Sequence, residues 1–233
     1  MCGILAVICN TLPNQLQKIL LASKYLHTRG PDSSMTMLKP SGIYIFHRLS
    51  INDISNDGSQ PMISGNILMM CNGEIYNHRE LEKEYELKCV SKSDCEVILR
   101  LYEKIGFEEM VKKLYGVFAI VLADGDQVYM ARDRIGVRPL YFGLTEEKYL
   151  AISSVPNTLV EFCHMVTPFP PGLTAIHVKS TEPKGGIPMI KYLHYDNLEL
   201  SPIRLSDGMQ QLHDTLINAV KLRLLSDRPM GCL

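Results

Sequence analysis

Two strand-length runs, Gly116–Ala123 and Gln127–Arg132, flank the tripeptide Asp124-Gly125-Asp126. No other feature narrows the fold as much. A glycine between two short polar residues, set between β-type runs, turns the chain back on itself, so the two runs pair antiparallel. Further strand-length apolar runs occur at Gly3–Cys9, Gly42–Arg48, Asn66–Cys71, Tyr141–Leu144 and Tyr149–Ser153. Another, Leu173–Lys179, sits inside a stretch from Thr167 to Pro202 that carries six prolines and whose later half reads as a connector.

Helical spacing alternates with these runs. Leu16, Ile19, Leu20, Ser23, Leu26 and His27 share one face, ended by Gly30-Pro31. A short polar helix is expected over His78–Tyr85. The segment Ser93-Asp94-Cys95-Glu96 has capping-box spacing and opens the stripe Val97, Ile98, Leu101, Tyr102, which stops at Gly106. A short helix follows over Phe107–Leu114. Met209, Leu212, His213, Leu216, Ile217, Val220 and Leu224 repeat at helical spacing after Ser206, the expected N-cap. Two groups of hairpin-joined strands with helices between them give an α+β chain of antiparallel sheets covered by helices.

Composition bounds the function classes. The chain has 233 residues, 24 Lys+Arg against 25 Asp+Glu and a formal net charge of -1. It is long enough to bury a core without disulfide staples. A pI near 6.6 gives no electrostatic reason to expect a nucleic acid or an anionic membrane as partner. The 7 cysteines are odd in number and include no C-x-x-C pair, and the histidines have no metal-ligand spacing, so neither a disulfide framework nor a metal site is expected. The apolar start lacks the positive lead and cleavage site of a signal peptide, and no run approaches the ~20 apolar residues that span a bilayer. The expected location is the cytoplasm.

Three groups of residues carry the types that chemistry needs. If Met1 is removed, Cys2 combines a thiol with a free α-amine, and an amine of pKa about 7.7–8.0 acts as a local base near neutrality. Cys2 equally suits a small apolar residue entering a strand. In Asn72-Gly73-Glu74-Ile75-Tyr76-Asn77, an Asn side-chain N–H and a Gly backbone N–H converge on one oxygen in the manner of an oxyanion hole, although Asn-Gly is also a common turn pair. Arg48 ends a strand and suits a carboxylate; Asp94, in the expected first helical turn, suits an ammonium. Surface arginines and helix-start aspartates are routine as well.

The order of these groups is more telling than any one of them. Met1-Cys2-Gly3-Ile4, Arg29-Gly30-Pro31-Asp32, His47-Arg48-Leu49-Ser50-Ile51, Cys71 through His78, Ser93-Asp94-Cys95-Glu96 and Ala131 through Leu140 are collinear. Over about residues 2–190 the chain resembles the class II glutamine amidotransferases, and within them the glutaminase domains of the glutamine-hydrolysing asparagine synthetases. The resemblance implies a four-layer αββα N-terminal-nucleophile hydrolase sandwich of two antiparallel sheets. It implies Cys2 as nucleophile with its own α-amine as base, and Asn72 and Gly73 as oxyanion hole. Arg48 would hold the α-carboxylate of L-glutamine and Asp94 its α-amine, with Glu74 and backbone groups of Leu49, Ile51 and Asn52 completing the pocket. The family often has Val at the Asn52 position, a change of little consequence if only backbone acts there. The Arg29–Asp32 and Arg132–Pro139 loops would be structural.

The resemblance also implies an organisation. Residues 2–190 form the glutaminase domain, 191–204 a connector, and 205–233 the start of a synthetase domain cut before its pyrophosphate loop. No cofactor is then expected for this chain; ATP and Mg²⁺ would serve the synthetase domain, or a separate synthetase chain, that receives the ammonia. The alternative is a non-catalytic module that keeps the fold and binds glutamine or regulates.

Overall fold

The computed structural model describes residues 1–178, 189–192, 204–229 and 231, with the backbone alone for 189–192. The described chain begins with β1 (Gly3–Ile8), α1 (Leu16–Ala22), β2 (Ser33–Lys39), β3 (Gly42–Arg48), β4 (Met62–Ser64) and β5 (Ile67–Ile75). Three helices follow, α2 (His78–Glu84), α3 (Glu96–Ile105) and α4 (Phe107–Lys113), and then β6 (Gly116–Asp124), β7 (Gln127–Arg132), β8 (Tyr141–Thr145) and β9 (Leu150–Ser153). The last elements are α5 (Pro156–Val160), β10 (Cys163–Pro168), β11 (Leu173–Val178), β12 (Met189–Tyr192) and α6 (Leu205–Leu222).

The strands form two six-stranded sheets, ordered β10-β8-β9-β1-β3-β2 and β12-β11-β7-β6-β5-β4. Every neighbouring pair is antiparallel. Central strands show why their sequences are continuously apolar. In β1, Ile4, Ala6 and Ile8 pack toward the second sheet, against residues such as Leu68, Met70 and Val121. Its alternate residues, Leu5 and Val7, pack with Ile19, Leu26, Leu159 and Phe162 of the helical layer outside the first sheet. A strand covered on both faces cannot alternate apolar with polar residues. On the far side, Met69, Cys71, Phe118, Ile120 and Leu122 of the second sheet bury the stripe Val97, Ile98, Leu101 of α3 together with Met110 and Val111 of α4. The result is the expected αββα sandwich of two antiparallel sheets.

The hairpin over Asp124-Gly125-Asp126, and the bounds of β3 and β7, stand where the sequence puts them. Four local expectations change. Asn72, Gly73 and Glu74 do not follow a strand; they lie inside β5, opposite Ala119, Phe118 and Val117 of β6. The glycine is demanded by that pairing, since a Cβ at Gly73 would sit 2.4 Å from the Val117 carbonyl oxygen. The capping box is not formed: α3 begins at Glu96 without a side-chain cap, and the Glu96 carboxylate accepts from Val90 N–H, Ser91 N–H and Arg100 instead. Asp94 therefore precedes the helix. Likewise α6 begins after Arg204, which leaves Ser206 inside its first turn. Finally, β2 is an exposed edge strand whose largely polar sequence gave no apolar signal.

The expected connector lies largely outside the described residues, as do Lys179 and Met230; Lys191 and Tyr192 continue β12 along the second sheet. Among the described residues no helix is long and apolar enough to cross a membrane.

Candidate active site

One cavity opens where β1 begins and where β3 and β5 lie next to each other in the two sheets. It is lined by all nine residues singled out from the sequence: Cys2, Arg48, Leu49, Ile51, Asn52, Asn72, Gly73, Glu74 and Asp94. Gln60, Cys71, Cys95 and Arg138 line it too.

Cys2 precedes β1, so the buried strand fixes its backbone at the mouth of the sandwich. Its Sγ accepts from the Leu49 N–H at 3.4 Å and lies 3.7 Å from the Leu49 carbonyl oxygen. Burial pushes the thiol above its ordinary pKa, and the Leu49 hydrogen bond partly opposes that. Arg29 donates through Nε to the Cys2 carbonyl at 3.0 Å, which ties the Arg29–Asp32 loop to the start of β1. The loop comes this close because Gly30 lacks a side chain: a Cβ there would lie 2.1 Å from the His47 carbonyl oxygen. The α-ammonium of Met1 is held below its ordinary pKa, chiefly by burial.

Asn72 is 1% exposed, and neither its Nδ2 nor its Oδ1 has a hydrogen-bond partner in the protein. A buried primary amide without partners costs on the order of 1–3 kcal/mol, and at the cavity wall both its donor and its acceptor are open to a group that enters the cavity. Its backbone is steadied by Gln60, whose side chain accepts from Cys71 N–H at 2.6 Å and donates to the Cys71 carbonyl at 3.2 Å. The Cys95 thiol, also at the cavity, is held above its ordinary pKa by its hydrogen bond with Cys71 and by burial, which keeps it neutral.

The remaining walls are charged. Asp94 is 4% exposed; its Oδ2 accepts from Ile75 N–H at 2.7 Å and its Oδ1 from Asn52 Nδ2 at 3.0 Å. Asn52 thus reaches Asp94 through its side chain, in addition to the backbone groups that the resemblance implies. Arg48 spends three of its five N–H groups within its own loop: Nη1 donates to the Ser55 carbonyl at 2.6 Å and to Ser59 Oγ at 3.2 Å, and Nη2 donates to the Asp53 carbonyl. Its other two N–H groups have no partner among the described residues. Glu74 accepts from Arg138 Nη2 at 2.7 Å across the rim.

Arg138 was read from the sequence only as part of a structural loop. Asp133 sets that loop's shape, its carboxylate accepting from the N–H groups of Ile135, Gly136, Val137 and Arg138, and of Phe118. Gln60 was missed altogether, because nothing local distinguishes it; its role depends on β5 lying 11 residues further along the chain.

With a thiol, an unpartnered amide, a carboxylate and a guanidinium facing one cavity, comparison with known proteins becomes decisive. The family of glutamine amidotransferase domains matches residues 1–183. This chain belongs to that family. Asparagine synthetase [glutamine-hydrolyzing] of Homo sapiens is 36% identical over 260 aligned positions, which cover 100% of this chain and 46% of the human protein. Asparagine synthetase B [glutamine-hydrolyzing] of Escherichia coli is 34% identical, over 93% of this chain and 39% of that protein. The amidotransferase chain spans less than half the length of these relatives. Among solved structures, an allosteric regulatory enzyme of purine biosynthesis superposes with a TM-score of 0.65 at 18% identity, over 82% of this chain and 49% of the other. The glutamine phosphoribosylpyrophosphate amidotransferase of B. subtilis gives 0.64 at 16% identity, over 82% and 49%. At such identities the structures speak for the fold alone, which is the one expected.

Proposed function

We propose that this chain hydrolyses the side-chain amide of L-glutamine to glutamate and ammonia, with Cys2 as nucleophile once Met1 has been removed. The observation that carries this reading is the buried, unpartnered Asn72 amide in the same cavity as the Cys2 thiol, which Arg48 and Asp94 also line. A free α-amino acid brings a carboxylate and an ammonium, and these two residues present the complementary charges.

In this reading the freed α-amine of Cys2 takes the thiol proton and the sulfur attacks the amide carbon, forming a tetrahedral intermediate. Its oxyanion is received by Asn72 Nδ2 and the Gly73 N–H, where one such donor contributes about 3–4 kcal/mol. The α-ammonium returns its proton to the departing nitrogen, and ammonia leaves with the glutamyl thioester in place. Water, deprotonated by the same amine, then adds to the thioester carbon; the C–S bond breaks and glutamate and the thiol are restored. Every proton taken is given back, and no cofactor is assigned to this chain.

The exposed apolar stripe of α6 supports a further part of the proposal. Leu205, Met209, Leu212 and Leu216 are 81%, 65%, 71% and 63% exposed, and nothing on α6 is buried. We assign that stripe to contact with a synthetase domain or chain that consumes the ammonia, as the names of the relatives suggest; ATP and Mg²⁺ would be needed only there. The domain division at 190 and 204 and the cytoplasmic location belong to the same reading.

Comparing Cys2→Ala with the wild-type chain in a glutamine-to-glutamate assay tests the chemistry, with mass spectrometry reporting the N-terminus. Turnover is expected only for wild-type chains that begin at Cys2. Equal rates for the variant, or full turnover in chains that retain Met1, would overturn it and leave the non-catalytic alternative.

A further inference from the structure

The loop Ser50–Asp53 forms one wall of the cavity, and it is held by residues from far along the chain. Asp53 N–H donates to Asp227 Oδ2 at 2.8 Å, 174 residues on. Asp227 N–H donates in return to the Ile51 carbonyl at 3.0 Å. Arg228 Nε donates to the Ser50 carbonyl at 3.0 Å, and its Nη2 lies 3.8 Å from Asp32 Oδ2, the oxygen that accepts Ser50 N–H at 2.8 Å.

These bonds fall on backbone atoms immediately beside functional contacts. Leu49, before the loop, bonds the Cys2 sulfur; Asn52, inside it, bonds Asp94. Leu224, Leu225, Ser226 and Asp227 also wall a cleft that shares Asn52 and Asp94 with the cavity. Apolar packing does not account for the placement of this segment, since the helix it follows buries no residue. A segment merely resting on the surface would spread its contacts over nearby side chains. This one joins three main-chain groups of a four-residue loop.

We infer that Asp227 and Arg228 are positioning residues of the glutamine site, forming a strap that holds the loop carrying Asn52. The inference rests on the glutaminase reading above. Losing the Asp227 carboxylate frees the Asp53 N–H and lets the loop shift, which moves Asn52 off Asp94 and weakens the subsite for the substrate ammonium. The nucleophile and oxyanion donors stay on β1 and β5, so binding suffers more than turnover.

The test compares wild type, Asp227→Ala, Asp227→Asn and Arg228→Ala, each in the full chain with Met1 removed. For Asp227→Ala, KM for glutamine is expected to rise about tenfold, the scale of one lost hydrogen bond to a charged group, with kcat within about twofold. Asp227→Asn keeps an acceptor oxygen and should restore most of the affinity. Hydrogen exchange at the Asp53 amide is read in parallel: about tenfold faster in the alanine variant and near wild type in the asparagine variant. An unchanged KM, an equal loss in KM and kcat, or an Asp53 amide that exchanges alike in all variants overturns the strap. If the wild-type chain itself shows no turnover, the glutaminase reading fails, and the exchange data alone then decide whether the segment holds the loop.

Discussion

Helices α3 and α6 have the same kind of sequence and opposite fates. In α3 the stripe Val97, Ile98, Leu101 is fully buried against β5 and β6; in α6 the stripe Met209, Leu212, Leu216, Val220 faces solvent. Each helix adjoins a carboxylate that reaches the Leu49–Asp53 loop, Asp94 just before α3 and Asp227 just after α6. A hydrophobic stripe states that a helix requires a cover; it does not say whether the cover belongs to the same chain. One side of the loop is anchored by a core, and the other by three polar contacts.

The largest break in this comparison is in stability. Ile98→Ala is expected to cost about 2–5 kcal/mol in urea unfolding, because it opens a cavity in a packed core. Leu216→Ala should stay within about 0.5 kcal/mol in the same measurement. A cost for Leu216→Ala matching that of Ile98→Ala would mean that α6 is packed in the isolated chain.

A smaller effect separates the two anchors of the loop. Asn52→Val removes the donor to Asp94 Oδ1 and should raise KM for glutamine by about three- to tenfold, the worth of one such bond. An analogue lacking the α-amine should bind wild type and variant alike. If both ligands are equally affected, Asn52 acts on the pocket as a whole and not through Asp94.

The smallest effect lies in pH dependence. Burial alone would raise the Glu96 carboxyl, but hydrogen bonds from the Ser91 hydroxyl, from Val90 and Ser91 N–H and from Arg100 outweigh it, and its pKa is lowered. A carboxyl lowered by folding contributes stability above its unfolded pKa, about 4.3, and loses it as pH falls through the folded value. Glu96→Gln should therefore flatten the fall in stability below about pH 4. Asp214 of α6 is lowered as well, by Gln210 and His213, but it is fully exposed; Asp214→Asn should leave the acid limb unchanged.

What the sequence reveals follows the range of the forces involved. Both helix stripes, the β6–β7 hairpin and the strand bounds at Gly42 and Arg48 are local patterns, and they are legible. Asn72-Gly73-Glu74 looks like a turn and is a strand, because the pairing with β6 that extends it comes from outside the segment. Ser93 and Glu96 have the spacing of a reciprocal cap, yet the stronger claim on Glu96 comes from Arg100 and the Ser91 turn. Of the site, the individual side chains were ambiguous, and the collinear blocks, by resemblance, singled out those that meet in the cavity. Gln60 and Asp227 escape such reading, since each acts on a backbone group contributed by another element.

The Asp133 carboxylate, which gathers five backbone N–H groups, has an evolutionary consequence. The Arg132–Pro139 loop takes its shape from the buried Asp133 carboxylate and from the Arg132 guanidinium, which donates to the Arg138 and Gly136 carbonyls, and not from its outward side chains, of which Ile135 is 82% exposed and Val137 51%. Substitution at those two positions can change the wall of the separate cleft they share with Tyr76 and Arg223 without displacing Arg138. The same scaffold is thereby left open to acquire new neighbours while its interior is preserved.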